Sequence, residues 1–305
     1  MTATVWLASY PKSGNTWFRL LLANLGADTP ADINEFAETD SIASARGAFD
    51  THLLIESGLL THEEADNLRP RLYEMLASGQ RLDDGVADHL GVRFVKAHDA
   101  YVTTGTGESL LAGARGAAGA IVMVRDPRDI APSLASHLRV DLDEAIVFMG
   151  DRETTFCGNR FSQPNQLRQR LLSWSGHVAS WLEQTDIPTH LVRYEDLMAD
   201  AADVLAGVLA FAGAEATPQE IRRAVEFSSF AELRRQERES GFRGAPRPHA
   251  PGHFFRRGET GAWRDELSGD QVARVEEQHG GMMGRLGYHL SSTAGVARPA
   301  MRERE

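Results

Sequence analysis

Four short apolar runs punctuate the chain, and each stops abruptly at polar or charged residues. They are Val5-Trp6-Leu7-Ala8-Ser9, Val92-Arg93-Phe94-Val95-Lys96, Ala120-Ile121-Val122-Met123-Val124 and Thr189-His190-Leu191-Val192-Arg193-Tyr194. Their length and apolar character predict buried parallel strands. Behind the first run, Thr16 to Leu25 has the length and composition of a helix, with Trp17, Leu21 and Leu25 on one face and Gly26 as its stop. Ile130 to His137 begins another helix, and helical patterns recur near 48–58, 61–78, 199–213 and 217–226. The 160s to 180s also read as helical, with Trp174, His177 and Trp181 spaced as core residues. Alternating strands and helices predict an α/β fold, a P-loop-like parallel β-sheet flanked by helices on both faces. The expected organisation is one domain over 1–290 with cap insertions at about 30–90 and 139–173, and 291–305 as a flexible tail. The stretch 234–258, rich in Arg, Gly and Pro, reads as a long loop.

Composition narrows the function. The chain has 305 residues, 42% hydrophobic and 25% charged, the mix of a soluble protein with a substantial core. A formal net charge of −11 argues against a protein that coats nucleic acid or an anionic membrane, since such binding needs basic surface. Cys157 is the single cysteine, which excludes an internal disulfide and a thiolate metal cluster. No apolar run approaches a membrane span, and the N-terminus lacks the basic start and cleavage site of a signal peptide. The expectation is a cytoplasmic protein with no integral membrane association.

The candidate chemistry lies where the strands end. In a parallel sheet the C-terminal strand ends share one rim, so Lys12, Lys96 with His98, Arg125 and Tyr194 should converge on one pocket. These are cations, a hydroxyl and an imidazole, a set suited to a polyanion. The loop Tyr10-Pro11-Lys12-Ser13-Gly14-Asn15-Thr16-Trp17 resembles a P-loop without being a Walker A motif, because Lys12 precedes Ser13-Gly14 and the upstream glycine is missing. Its mechanics carry over. Gly14 allows close backbone approach, Lys12 supplies a charge, and Ser13, Asn15 and Thr16 can hydrogen-bond phosphate oxygens. Asp126 is a candidate for the carboxylate that a nucleoside triphosphatase would want to help hold magnesium, but its neighbour Arg125 is better explained by phosphate binding. His98 is the candidate general base, since an imidazole titrates near neutrality. A P-loop nucleotide kinase and a non-catalytic nucleotide-binding protein are the rival readings.

Five segments in order carry a family resemblance. The 10–17 loop resembles the 5′-phosphosulfate loop of cytosolic sulfotransferases, and Val124 to Ser133 resembles their 3′-phosphate strand and helix. Lys96-Ala97-His98 is similar to the element bearing the family's catalytic histidine. Tyr194-Glu195-Asp196-Leu197 and Arg256-Arg257-Gly258-Glu259-Thr260-Gly261-Ala262-Trp263-Arg264 match two later family segments. The resemblance implies sulfuryl transfer from 3′-phosphoadenosine 5′-phosphosulfate (PAPS) to a hydroxyl of a small-molecule acceptor, with 3′-phosphoadenosine 5′-phosphate (PAP) as product and no metal required. It implies that Lys12 stabilises the leaving oxygen, Lys96 holds the sulfuryl oxygens and His98 takes the acceptor proton. Arg125, Ser133, Arg256, Arg257 and Gly258 would hold the 3′-phosphate. Trp17, Tyr194 and Phe230, in Ser228-Ser229-Phe230, would take the adenine. Asn15 replaces the family's usual threonine and Ala262 its usual aspartate. The animal members' dimer motif is absent from 265–277, so the sequence assigns no oligomeric state, and it carries no code for the acceptor.

Overall fold

The computed structural model describes residues 3–35, 42–78, 90–159, 165–243, 254–255 and 258–291. The chain begins with β1 (Ala3–Ser9), α1 (Asn15–Ala23), α2 (Arg46–Leu53), α3 (His62–Ala77) and β2 (Val92–Ala97). It continues through β3 (Gly119–Val124), α4 (Pro127–Leu138), α5 (Leu142–Gly150), the short strands β4 (Thr155–Phe156) and β5 (Gln169–Arg170), and α6 (Trp174–Glu183). Next come β6 (Thr189–Arg193), α7 (Tyr194–Ala199), α8 (Ala201–Ala212) and α9 (Pro218–Phe227). α10 (Phe230–Ser240), α11 (Trp263–Glu266) and α12 (Gly269–Arg285) complete the set.

The four predicted strands form one parallel sheet in the order β2-β1-β3-β6. Side chains on a strand alternate between faces, and here that alternation sorts the core into two layers. On β1, Val5 and Leu7 pack with Phe18, Leu21 and Leu22 of α1, Leu205, Val208 and Leu209 of α8 and Ala224 of α9. Trp6 and Ala8 face the other way, onto Leu72 and Tyr73 of α3, Ile130 and Leu134 of α4, Trp174 and Trp181 of α6 and Met283 of α12. Both faces of the sheet are therefore covered, which is why its strands read as near-continuous apolar runs. Register places Ser9 beside Met123, Ala8 beside Ala97 and Val124 beside Arg193, so the four strands end level on one rim.

Three expectations need correction. The helix expected near 48–58 stops at Leu53, because Leu54 takes a left-handed conformation, and a separate short 3-10 turn follows at Ser57–Leu59. The described part of the 160s is extended and enters an antiparallel pair, β5 against β4, before α6 begins at Trp174. The loop expected from 234 is helical as far as Ser240, since α10 is held by its own charge pairs, Arg235 with Glu232 and Glu239. Trp174, His177 and Trp181 are buried core residues, as their spacing predicted. The tail expected from 291 falls almost wholly outside the described residues.

Candidate active site

The Lys12 loop is shaped by its backbone. Lys12 and Gly14 both take positive φ, +72° and +97°, turning the chain sharply from β1 into α1. A side chain at Gly14 has no room, since its Cβ would lie 2.6 Å from Cδ2 of Tyr194. No side chain caps the nine-residue helix α1, and its first turn holds no acidic residue. Its leading N–H groups and the positive end of its dipole are thus left for an anion. The buried Ser13 hydroxyl has no hydrogen-bond partner among the described residues. Lys12 Nζ sits 4.3 Å from the centroid of the Phe254 ring.

Asn15 does different work from that read in the sequence. Its buried amide donates to Leu7 O at 2.9 Å and to Ser9 Oγ at 3.1 Å, stapling the start of α1 to the end of β1. Ser9 in turn meets His98. The His98 Nδ1 lies 2.7 Å from Ser9 O and 3.3 Å from Ser9 Oγ. A carbonyl oxygen only accepts, so Nδ1 carries the proton and Nε2 keeps a lone pair. Burial, with the Lys96 charge next in weight, holds the His98 pKa well below the ordinary histidine value. His98 is therefore neutral and able to accept a proton at physiological pH. Asp99 does not orient the ring. It is fully buried, and its carboxylate accepts from Arg69 Nη2 at 2.5 Å and from Arg170 N at 2.9 Å.

On the other side of the rim, Arg125 crosses the site. Its guanidinium donates to Lys12 O at 3.3 Å and Glu259 O at 3.2 Å and lies 4.4 Å over the Tyr194 ring, while its buried Nε has no partner among the described residues. Asp126 caps α4 and pairs with Arg128 at 2.7 Å, and Arg128 also reaches Glu276, so Asp126 is structural. Asp129 accepts from Gly261 N at 2.6 Å and Trp263 N at 2.9 Å, which fixes the late glycine-rich segment beside α4. Within that segment Gly258 has a φ of +63°, and a Cβ there would approach Phe230 to 2.5 Å. Trp17 meets Tyr194 edge-on, with centroids 5.9 Å apart, and its indole donates to Ser228 O at 2.9 Å.

One cavity of about 830 Å³ joins these parts. Lys12, Gly14, Asn15, Thr16, Trp17, Lys96, His98, Arg125, Ser133, Tyr194, Phe230 and Gly258 all line it. Two of the residues singled out in sequence do not. Ser13 lies just beneath the lining, and Ser228 is fully buried with its hydroxyl bonded to Asn24 at 3.0 Å, leaving Ser229 at the wall. Arg256 and Arg257 lie outside the described residues. Sequence reading missed Ser9 as the holder of His98 and Asp129 as the anchor of the late segment. Neither residue type carries a signal for these roles, and only the end position of Ser9 on β1 hinted at the first. Among the described residues no group of three or more His, Cys, Asp or Glu side chains could hold a metal ion, and no helix is long and apolar enough to cross a membrane.

An uncapped helix N-terminus and a neutral imidazole share one cavity on the rim of a parallel sheet, an arrangement suited to group transfer from an anionic donor. The chain belongs to the sulfotransferase domain family, a family of enzymes, whose match covers residues 2–287. It is similar to a 3-alpha-hydroxysteroid sulfotransferase of Cavia porcellus, 30% identical over 107 residues, which is 34% of this chain and 36% of the relative. The matched part thus spans about a third of that relative's length. The fold resembles mouse sulfotransferase SULT7A1 complexed with PAP, with a TM-score of 0.56 and 17% identity, covering 93% of this chain and 85% of that one. It also resembles retinol dehydratase in complex with androsterone and inactive cofactor PAP, at a TM-score of 0.55 and 17% identity, covering 95% and 83% of the two chains. The same enzyme in a complex with retinol and PAP matches at 0.52 and 20% identity, covering 92% of this chain and 81% of that one.

Proposed function

We propose that this cavity binds PAPS and that the enzyme transfers its sulfuryl group to a hydroxyl of a small-molecule acceptor in the cytoplasm, releasing PAP. The observation that carries the reading is the shared cavity. It runs from an uncapped helix N-terminus with Lys12 to the lone pair of His98. The residues suit the donor. Lys12 and Arg125 bring positive charge to the cavity wall, and Gly14 and Gly258 let the Tyr194 and Phe230 rings close against the backbone there.

When bound, PAPS supplies an activated sulfuryl group, whose S–O bond to phosphate breaks as the acceptor oxygen bonds to sulfur. His98 Nε2 takes the acceptor proton, which its depressed basicity and fixed tautomer allow at neutral pH. Lys12 and the N–H groups of α1 offset the charge growing on the leaving phosphate, and Lys96 holds the sulfuryl oxygens. Arg125, Ser133 and Gly258, with Arg256 and Arg257, hold the 3′-phosphate, and Trp17, Tyr194 and Phe230 take the adenine. In this reading the lysines and the helix dipole do the work for which a nucleotide kinase uses magnesium.

Calorimetry with PAP and with ATP, each with and without magnesium, tests the donor site, and labelled PAPS with a panel of hydroxyl acceptors tests transfer. The expected result is tight, magnesium-independent PAP binding, weak ATP binding and label transfer that fails in His98→Ala. A preference for magnesium–ATP would favour a kinase. PAP binding without transfer to any acceptor would leave a binding protein.

A further inference from the structure

The cavity around His98 is walled by Ile42, Phe156, Cys157, Gln166 and Gln169, which come from stretches of chain remote from β2 in sequence. One buried side chain ties two of those stretches to the residue after His98. Arg69, in the middle of α3, is 0% exposed. Its Nη1 and Nη2 donate to the two carboxylate oxygens of Asp99, at 3.1 Å and 2.5 Å. Nη1 also donates to Arg168 O at 3.0 Å, beside Gln169. Nε donates to the Tyr73 hydroxyl at 2.8 Å, which donates in turn to Ala43 O at 2.7 Å, beside Ile42.

Asp99 completes the junction. Its carboxylate accepts from Arg170 N at 2.9 Å, Ala100 N donates to Arg170 O at 2.7 Å, and the Trp181 indole donates to Asp99 O at 3.0 Å. The ring of His98 is held by Ser9, and this junction holds the backbone on its other side. A buried ion pair is a poor device for stability alone, because the cost of desolvating two charges offsets most of their attraction. What the forked guanidinium supplies is direction, since its donors lie in one plane at fixed angles.

Resting on the sulfotransferase reading above, we propose that Arg69 is a positioning residue for the transfer step. Through Asp99 it sets His98 against the Ile42 and Gln169 walls, so that an acceptor lying on those walls presents its hydroxyl to Nε2. Arg69 does not itself line the cavity. None of the bonds named above involves the Lys12 loop, Arg125 or the 258–263 segment, so its influence falls on the acceptor and not on the donor.

The test uses the full chain with labelled PAPS and whichever of phenol, cyclohexanol, methyl glucoside and a monohydroxy sterol the wild type sulfates fastest. Arg69→Lys keeps a cation beside Asp99 but loses the fork. The double variant Arg69→Met with Asp99→Asn removes both charges, and its asparagine still accepts from Arg170 N. In both, kcat/KM for the acceptor should fall by about 10- to 100-fold, with KM raised and kcat lowered together, while calorimetry shows PAP affinity within about twofold of wild type. The neutral double variant should also unfold in urea near the wild-type midpoint and still be slow. Acceptor kinetics that recover along with stability in the double variant would make the pair structural only and overturn the proposal. A PAP affinity that falls in step with kcat/KM overturns it as well. If one variant does not fold, the other decides, and failure of both to fold also assigns the pair to structure alone. The absence of PAP binding in the wild type, or of transfer to every one of these acceptors, overturns the sulfotransferase reading itself and this proposal with it.

Discussion

The imidazole of His98 is held through Nδ1 by the backbone carbonyl of Ser9, 2.7 Å away across the β1–β2 rim. The strand that leads into the Lys12 loop thereby also sets the tautomer of the imidazole proposed as the base. A backbone carbonyl cannot be removed by substitution, so the Ser9 side chain should matter little and the imidazole a great deal. His98→Gln should lower kcat by about 10²- to 10⁴-fold with PAP affinity kept, whereas Ser9→Ala should stay within about threefold of wild type. Single-turnover transfer with calorimetry on the same samples checks both. Near-normal turnover in His98→Gln would remove the residue from the base role.

Asn15 bonds to both Leu7 O and Ser9 Oγ, so it positions the Ser9–His98 contact from beneath. Asn15→Ala leaves buried polar groups unpaired and should cost about 1–3 kcal/mol of stability. It should also lower kcat more than Ser9→Ala does, because the end of β1 loses its tie to α1. Urea unfolding and kcat are the two readouts. A stability loss with unchanged kcat would make Asn15 structural only.

The fold and the convergence of the strand-end loops on one cavity were legible because they are written locally. Each strand is an apolar run, each functional loop begins where that run stops, and register then levels the ends of β1, β2, β3 and β6. The wall around Phe156 and Gln169 is not local. Gln169 enters it through a strand two residues long, whose partner Phe156 is thirteen positions earlier, and such pairing leaves no periodic trace. The role of Ser9 rests on its carbonyl, a group every residue has. Helix α10 was hidden by its arginines, which read as loop until Glu232 and Glu239 are seen to pair with Arg235.

Gly14 and Tyr194 form a second dependence between loops far apart in sequence. Alanine at position 14 would need a φ near +97° and would push its Cβ into the ring at 2.6 Å. Gly14→Ala should weaken PAP binding at least about tenfold by displacing either the loop or the ring, with a cost of the order of 1–3 kcal/mol. Gly258→Ala should do likewise through Phe230, which its Cβ would approach to 2.5 Å. Calorimetry with PAP reads both, and unchanged affinity in both would exclude these two contacts from the donor site.

Asp129 fixes the late segment through Gly261 N and Trp263 N, and burial raises its pKa above the ordinary aspartate value. Asp129→Ala should free the Gly258 stretch and weaken PAP more than adenosine 5′-phosphosulfate, which lacks the 3′-phosphate. Arg125→Ala should show the same asymmetry for the direct reason that, in the function proposed above, its guanidinium binds that phosphate. Paired titrations with the two ligands check this. Equal losses would place both residues away from the 3′ end.

Burial of histidines also shapes how stability responds to acid. His177 is 1% exposed, and burial lowers its pKa to about 4 against a partial offset from its bond to Leu171 O. His279, similarly buried, is lowered to about 4 as well. In the unfolded chain each takes a proton near pH 6.5, while in the fold neither does until about pH 4. The unfolded state therefore binds more protons in that window, so stability is complete above pH 6.5 and is lost as pH falls toward 4. Each such histidine contributes a slope approaching about 1.4 kcal/mol per pH unit. Urea unfolding at about pH 7.5, 6.5 and 5.5 should show the decline, and His177→Gln should flatten it by about one histidine's share. An unaltered slope in that variant would mean that His177 titrates in the fold as it does in the open chain.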